Sequence, residues 1–130
     1  MNGLSKKKKH KLLFVDDNTD FLKSIKVMLR KIPAELFLVE SGLKAVELTK
    51  KVKPDIVFMD LRMPKISGWK VVEKIKKEKH LKHVKIIILT NYDKEIEPGY
   101  DEHKDLIEDY ILKIDLNKTL LQDIIQRYLK

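Results

Sequence analysis

The chain has 130 residues, which suits one domain, and a hydrophobic content of 43%, enough for a single buried core. The absence of cysteine excludes a disulfide framework and a thiolate metal site. No run approaches the roughly 18 to 20 apolar residues of a bilayer span, and Asp16 and Asp17 interrupt the chain before any apolar segment of leader-peptide length. The net charge of +8 raises the question of nucleic acid or an anionic surface. The excess is almost all lysine, with few aromatics between, so it argues for a solvated face and against nucleic acid or membrane as partner. A cytoplasmic domain is the expectation.

Residues 1–10 are polar and lysine-rich without periodicity, and are expected to form a disordered basic head; residues 11–130 are expected to form the domain. Leu12–Val15 reads as a buried strand ending in two aspartates. Phe21, Leu22, Ile25, Met28 and Leu29 follow helical spacing, with Asn18 or Thr19 as N-cap and Pro33 as the stop. Leu36–Val39 is a second strand, and Ser41 caps a helix carrying Leu43, Ala45, Val46 and Leu48, which ends near Lys53-Pro54. The third strand, Ile56–Met59, ends in Asp60. A loop with Pro64 and Gly68 leads to a helix with Trp69, Val72 and Ile75 on one face, ending near His80. Val84–Leu89 is the most continuous apolar run and the best central strand. Residues 91–108 suit a helix by charge, but Pro98-Gly99 would break it. Tyr110–Leu112 is a short last strand. An amphipathic helix from Leu116 to Leu129 closes the chain, turning Leu120, Leu121, Ile124, Ile125 and Tyr128 inward.

Five strands alternating with helices predict an α/β fold, a parallel sheet covered on both faces. Ligand sites in such sheets lie at the carboxyl ends of the strands. The residues there are Asp16, Asp17, Asp60, Thr90 and Lys113, so carboxylates, a hydroxyl and an amine meet at one edge. Crowded carboxylates repel, and raised pKa values or a bound cation relieve them. Oxygen donors without histidine or cysteine suit a hard ion, Mg²⁺ by preference, which uses one or two carboxylates and bridges to phosphate. An aspartate is then free to attack phosphorus and form an aspartyl phosphate. A lysine and a threonine hydroxyl are suited to the transferring oxygens.

Leu13-Phe14-Val15-Asp16-Asp17, Asp60-Leu61-Arg62-Met63-Pro64 with Gly68, Leu89-Thr90 and Tyr110-Ile111-Leu112-Lys113 together resemble the response-regulator receiver family, from Lys11 onward. The resemblance implies a flavodoxin-like, doubly wound sheet with strand order 2-1-3-4-5. It implies that Asp60 accepts the phosphoryl group, and that Asp17, Asp60 and the backbone carbonyl of Arg62 bind Mg²⁺ (with Mn²⁺ as a substitute). Asp16 acts through a metal-bound water, and Thr90 and Lys113 hold the phosphoryl oxygens. Tyr110 is the aromatic switch that turns inward with Thr90. The donor is a histidine kinase or phosphotransfer protein. Output passes through the fourth helix, fifth strand and fifth helix to a downstream protein or into a homodimer. The domain is not an enzyme beyond its own phosphorylation and dephosphorylation.

Each assignment has a plainer competitor. Asp16 and Asp17 could cap the first helix, Thr90 could bond the backbone at a strand end, Lys113 could be a structural ion-pair partner of Asp60, and Tyr110 could be core. The four histidines are given no role. The chain also departs from the family pattern. Ile114 replaces the proline after the lysine, so a trans peptide and an altered loop are expected. Asn91 is large for its place and is expected to narrow access to Asp60. Leu106-Ile107 and Pro98-Gly99 point to a shortened or displaced fourth helix. The acidic stretch from Asp93 to Asp109 predicts a basic or mixed-charge partner. No output domain is expected after Lys130. A scaffold regulated without phosphate is the alternative function. A phosphohydrolase would need an acid at position 62, where Arg62 stands.

Overall fold

The structure, a computed structural model, describes residues 9–129. Parallel strands β1 (His10–Val15), β2 (Ala34–Val39), β3 (Ile56–Met59), β4 (Lys85–Thr90) and β5 (Asp109–Leu112) form one sheet in the order β2-β1-β3-β4-β5. Between and after them lie α1 (Thr19–Met28), α2 (Gly42–Val52), α3 (Gly68–Lys77), the single turn α4 (Tyr100–His103) and α5 (Lys118–Tyr128). The fold class and strand order are those implied by the resemblance. Most of the expected basic head lies outside the described residues, but His10 belongs to β1, which starts earlier than Leu12. No helix among the described residues is long and apolar enough to cross a membrane.

Sidedness follows from strand periodicity, because successive side chains point to opposite faces. Leu13, Val15, Val57, Met59, Ile86 and Ile88 pack with Ala45, Val71, Val72 and Ile75 of α2 and α3. Leu12, Phe14, Ile56, Phe58, Ile87 and Leu89 pack on the other face with Leu22, Ile25, Leu121 and Ile124 of α1 and α5. Phe14 and Phe58 stack across β1 and β3 with ring centres 4.3 Å apart. Every residue of β3 is buried, as expected of a central parallel strand.

Local signals set the helix ends. The side chains of Asn18, Ser41, Ser67 and Asn117 accept hydrogen bonds from backbone amides of the first turns of α1, α2, α3 and α5; such caps contribute about 1 kcal/mol each. Lys53, left-handed at φ 51°, ends α2 just before Pro54. Several boundaries differ from expectation. α1 ends at Met28, with Leu29 as C-cap, short of Pro33. α3 gives way at Glu78 to a 3-10 turn. α5 begins at Lys118, because Lys113–Asp115 forms a 3-10 turn of its own and Asn117 caps the helix. Leu43 is 53% exposed and joins neither core. The fourth helix is shortened to one α turn and a 3-10 turn over Lys104–Leu106, because Pro98 cannot continue a helix and Gly99 turns left-handed at φ 93°.

Candidate functional site: an acidic cluster at the carboxyl end of the sheet

Register builds the cluster. Val15 pairs with Met59, so Asp16 and Asp60 leave adjacent strands together, and the Asp60 amide donates to the Val15 carbonyl at 3.0 Å. One carboxylate oxygen from each of Asp16, Asp17 and Asp60 lies within 4.8 Å of the others. Asp16 and Asp60 are buried, at 2% and 6% exposure, while Asp17 faces solvent. Thr90 pairs with Leu112, so Lys113, the residue after Leu112, arrives beside it. The chain thus gathers all of Asp16, Asp17, Asp60 and Lys113 at one edge, with Thr90 ending the intervening strand.

The charges are unevenly matched. The Lys113 ammonium lies 2.6 Å from Asp16 Oδ2 but 4.0 Å from Asp60 Oδ2, and 4.5 Å from the Phe21 ring centre. Lys113 therefore pairs with both, more closely with Asp16 than with Asp60. Asp16 also accepts the Asn18 amide at 2.9 Å, but the cap of α1 is Asn18 itself. Burial, then the neighbouring charge of Asp16, pushes the Asp60 carboxyl up to about 6, against the opposing pull of Lys113 and the Leu61 amide. That amide donates to Asp60 Oδ1 at 2.9 Å. A site this crowded, built only from oxygen donors, fits a hard divalent cation.

Two further features are shaped for this edge. A Cβ on Gly68 would lie 2.1 Å from the Asp60 carbonyl oxygen, and the Gly68 amide donates to the Leu61 carbonyl at 2.9 Å. Only glycine lets the start of α3 close on the aspartate's backbone, which explains its place after Met63-Pro64. The Thr90 hydroxyl is fully buried and, among the described residues, is the buried side-chain polar atom without a hydrogen-bond partner. An orphan of this kind costs about 1–3 kcal/mol, and an incoming acceptor would relieve it. The plainer alternative, in which the Thr90 hydroxyl bonds the backbone at the strand end, is not what the structure has.

The rim is tied by side chains. Arg62 donates to Glu97 at 3.0 Å, and its guanidinium lies 3.7 Å from the centre of the Tyr92 ring. The Glu97 hydrogen bond raises the Arg62 pKa. The Tyr110 hydroxyl donates to the Tyr92 carbonyl, and its ring meets Tyr100 edge-on at 5.4 Å. Burial, then Glu97 and Asp93, pushes the Tyr110 hydroxyl up to about 12. Tyr110 is thus half-buried and tethered at the rim. The 113–114 peptide is trans, there being no cis bond among the described residues, and Ile114 is 89% exposed. Asn91 is exposed too. Sequence reasoning missed the Arg62–Glu97 pair, whose partners are 35 residues apart and share no periodicity. A separate cavity of about 610 Å³, lined by His10, Ile32, Ala34, Ile125 and Leu129 among others, lies at the opposite end of the strands and contains none of these groups.

A five-stranded parallel sheet with this acidic edge defines a receiver, and the response regulator receiver domain matches residues 12–126. The chain belongs to that family. It is similar to the protein PilH of Pseudomonas aeruginosa, 29% identical over 114 residues that cover 88% of this chain and 93% of the relative. It is also similar to the polar-differentiation response regulator DivK of Brucella ovis, 28% identical over 81 residues, covering 62% and 66%. Among solved structures, the response regulator TrrA of Thermotoga maritima in complex with Mg²⁺-BeF superposes with a TM-score of 0.78 at 30% identity, covering 92% of this chain and 99% of that one. The receiver domain of a sensor histidine kinase from Pseudomonas aeruginosa, with magnesium coordinated in its active-site cleft, gives 0.81 at 27% identity, covering 93% and 98%.

Proposed function

We propose that this chain is a phosphoryl-accepting switch, in which Asp60 takes the phosphoryl group from a histidine kinase or phosphotransfer protein of the cytoplasm. The observation that carries the reading is the uneven charge of the cluster: Asp60 is buried beside Asp16, while Lys113 sits nearer Asp16. A carboxylate oxygen of Asp60 attacks phosphorus. The new O–P bond forms as the donor's N–P bond breaks, and the donor imidazole recovers a proton from solvent. Asp17, Asp60 and the Arg62 backbone carbonyl would hold Mg²⁺ or Mn²⁺ directly, with Asp16 acting through a water. The ion would neutralise negative charge on the transferring group.

Lys113 supplies a second positive charge, within a short swing of Asp60. The Thr90 hydroxyl, unpartnered at rest, donates to a phosphoryl oxygen. Its movement releases Tyr110 from the Tyr92 carbonyl and changes the surface made by α4, β5 and α5. That surface would bind a downstream protein or a second copy of the chain.

The close Lys113–Asp16 pair favours one other reading, a binding scaffold in which this pair is permanent and phosphate is not used. Incubation with a small phosphodonor, with and without Mg²⁺, separates the two. The switch gains one phosphoryl mass only with the metal, and Asp60→Asn gains none. A scaffold gains none under either condition.

A further inference from the structure

The α4 turn is fastened to α3 by a group that the phosphoryl chemistry does not use. His103 is buried, at 8% exposure, with its ring stacked on Trp69 at 4.9 Å and 11° between planes. Its Nδ1 lies 2.6 Å from the Gly99 carbonyl oxygen and its Nε2 lies 2.6 Å from Glu73 Oε2 on α3. Trp69 adds a parallel tie, donating its indole N–H to the Pro98 carbonyl at 3.1 Å. A carbonyl and a carboxylate only accept, so both ring nitrogens must carry a proton for both contacts to be hydrogen bonds. A neutral ring has one N–H. Its second nitrogen would then point a lone pair at an oxygen 2.6 Å away, a repulsive contact inside a buried site.

We infer that His103 is a proton-operated clip: as imidazolium it donates at once to Gly99 within the turn and to Glu73 on α3, and on losing its proton it forfeits one of the two bonds and loosens the α4 turn against α3. The stack on Trp69 is compatible with this charge state, because an indole face attracts a cation. Burial works against the charged ring, yet the bonds to Glu73 and Gly99 outweigh it and hold the His103 pKa above the ordinary value, while the His103 bond holds the Glu73 carboxyl low. The other charged groups near this contact are Lys70 on α3, 3.6 Å from Glu73, and Glu102 on the turn, while Asp101 and Lys104 pair with each other at 4.0 Å. Lys70 shares Glu73 and helps hold that carboxyl low. Glu102 reinforces it. A regulator built this way couples the readiness of the α4 surface to ambient pH; that consequence rests on α4 belonging to the output face, whereas the clip itself does not.

Trp69 is the single tryptophan of the chain and touches the clip, so it reports directly. The experiment is a pH titration of Trp69 fluorescence, with acrylamide quenching at each pH, on the unphosphorylated full chain. A one-proton transition is expected above the ordinary histidine value of about 6.5, with quenching stronger on the alkaline side as the turn opens. Glu73→Gln, a change at a half-exposed position, moves the midpoint down, and His103→Phe abolishes the transition. Asp60→Asn leaves it in place, which separates the clip from titration of the acidic cluster and from any failure of the phosphorylation reading. A flat wild-type profile, a midpoint indifferent to Glu73→Gln, a transition lost in Asp60→Asn, or quenching that is equal on both sides would each overturn the inference.

Discussion

The acidic edge and the α4 segment lie on the same side of the molecule but are held by different means. Asp16, Asp60, Thr90 and Lys113 are placed by a ladder of buried parallel strands, so their positions follow from register. The stretch from Asn91 to Glu108 contains no strand and only two short helical turns. It is tied down by a few polar side chains: Arg62 to Glu97, Tyr110 to the Tyr92 carbonyl, Trp69 to Pro98, and His103 to Glu73. A site that must keep its geometry is built on backbone hydrogen bonds and apolar burial. The α4 segment rests instead on single side-chain contacts and a few apolar residues, an arrangement that opens locally at lower cost.

The sharpest way to break this contrast is to disturb one glycine in each region. Gly68→Ala drives a methyl against the Asp60 carbonyl, where the backbone cannot give; urea unfolding should show a loss of about 3 kcal/mol, the upper part of the usual range for overpacking. Next in size is the cost of the buried acid. Because the folded pKa of Asp60 is raised from 3.8 to about 6, its ionised form is penalised in the fold. The penalty is absent below pH 3.8 and complete above pH 6. Without divalent ions, Asp60→Asn should therefore be more stable than the parent at pH 8 by about 2 kcal/mol, taking about 1.4 kcal/mol per unit and allowing for lost hydrogen bonding. Added Mg²⁺ should raise the melting temperature of the parent and raise that of Asp60→Asn less.

Gly99→Ala tests the other region. Its left-handed backbone and a Cβ contact of 3.0 Å with Trp69 predict a loss of about 1–2 kcal/mol, smaller than at Gly68 because a side chain rather than backbone is struck. The smallest effect is the pH dependence of the clip. A histidine whose folded pKa is raised stabilises fully below about 6.5 and loses that contribution as pH rises through the folded value. Parent and His103→Phe should thus differ in the slope of stability with pH as it rises above the ordinary histidine value of about 6.5, and less strongly below it.

The same division decided what was legible in the sequence. Strand ends followed by Asp16, Asp17, Asp60, Thr90 and Lys113 can be read from apolar runs, and the sheet order then brings them together. The broken fourth helix was legible in Pro98-Gly99. Leu43 lies on α2 as expected but faces solvent, while its neighbours Gly42 and Ala45 are buried, because the face of a helix is set by packing that a short apolar pattern does not fix. The resting partner of Lys113 was not legible, since Asp16 and Asp60 both end strands at the same edge and only their distances from the ammonium, 2.6 and 4.0 Å, tell them apart. Nor was His103, because Glu73 lies 30 residues away and a contact between two separate elements leaves no period behind.

The central claim is that Asp60, and not the other carboxylates of the cluster, becomes phosphorylated. Treating the chain with a small phosphodonor and Mg²⁺, reducing with borohydride and sequencing the peptides by mass spectrometry addresses it directly, because an aspartyl phosphate is reduced to homoserine. Homoserine at position 60 alone is the expected result; its appearance at position 16 or 17, or an unmodified position 60 despite intact protein and metal, would contradict the account.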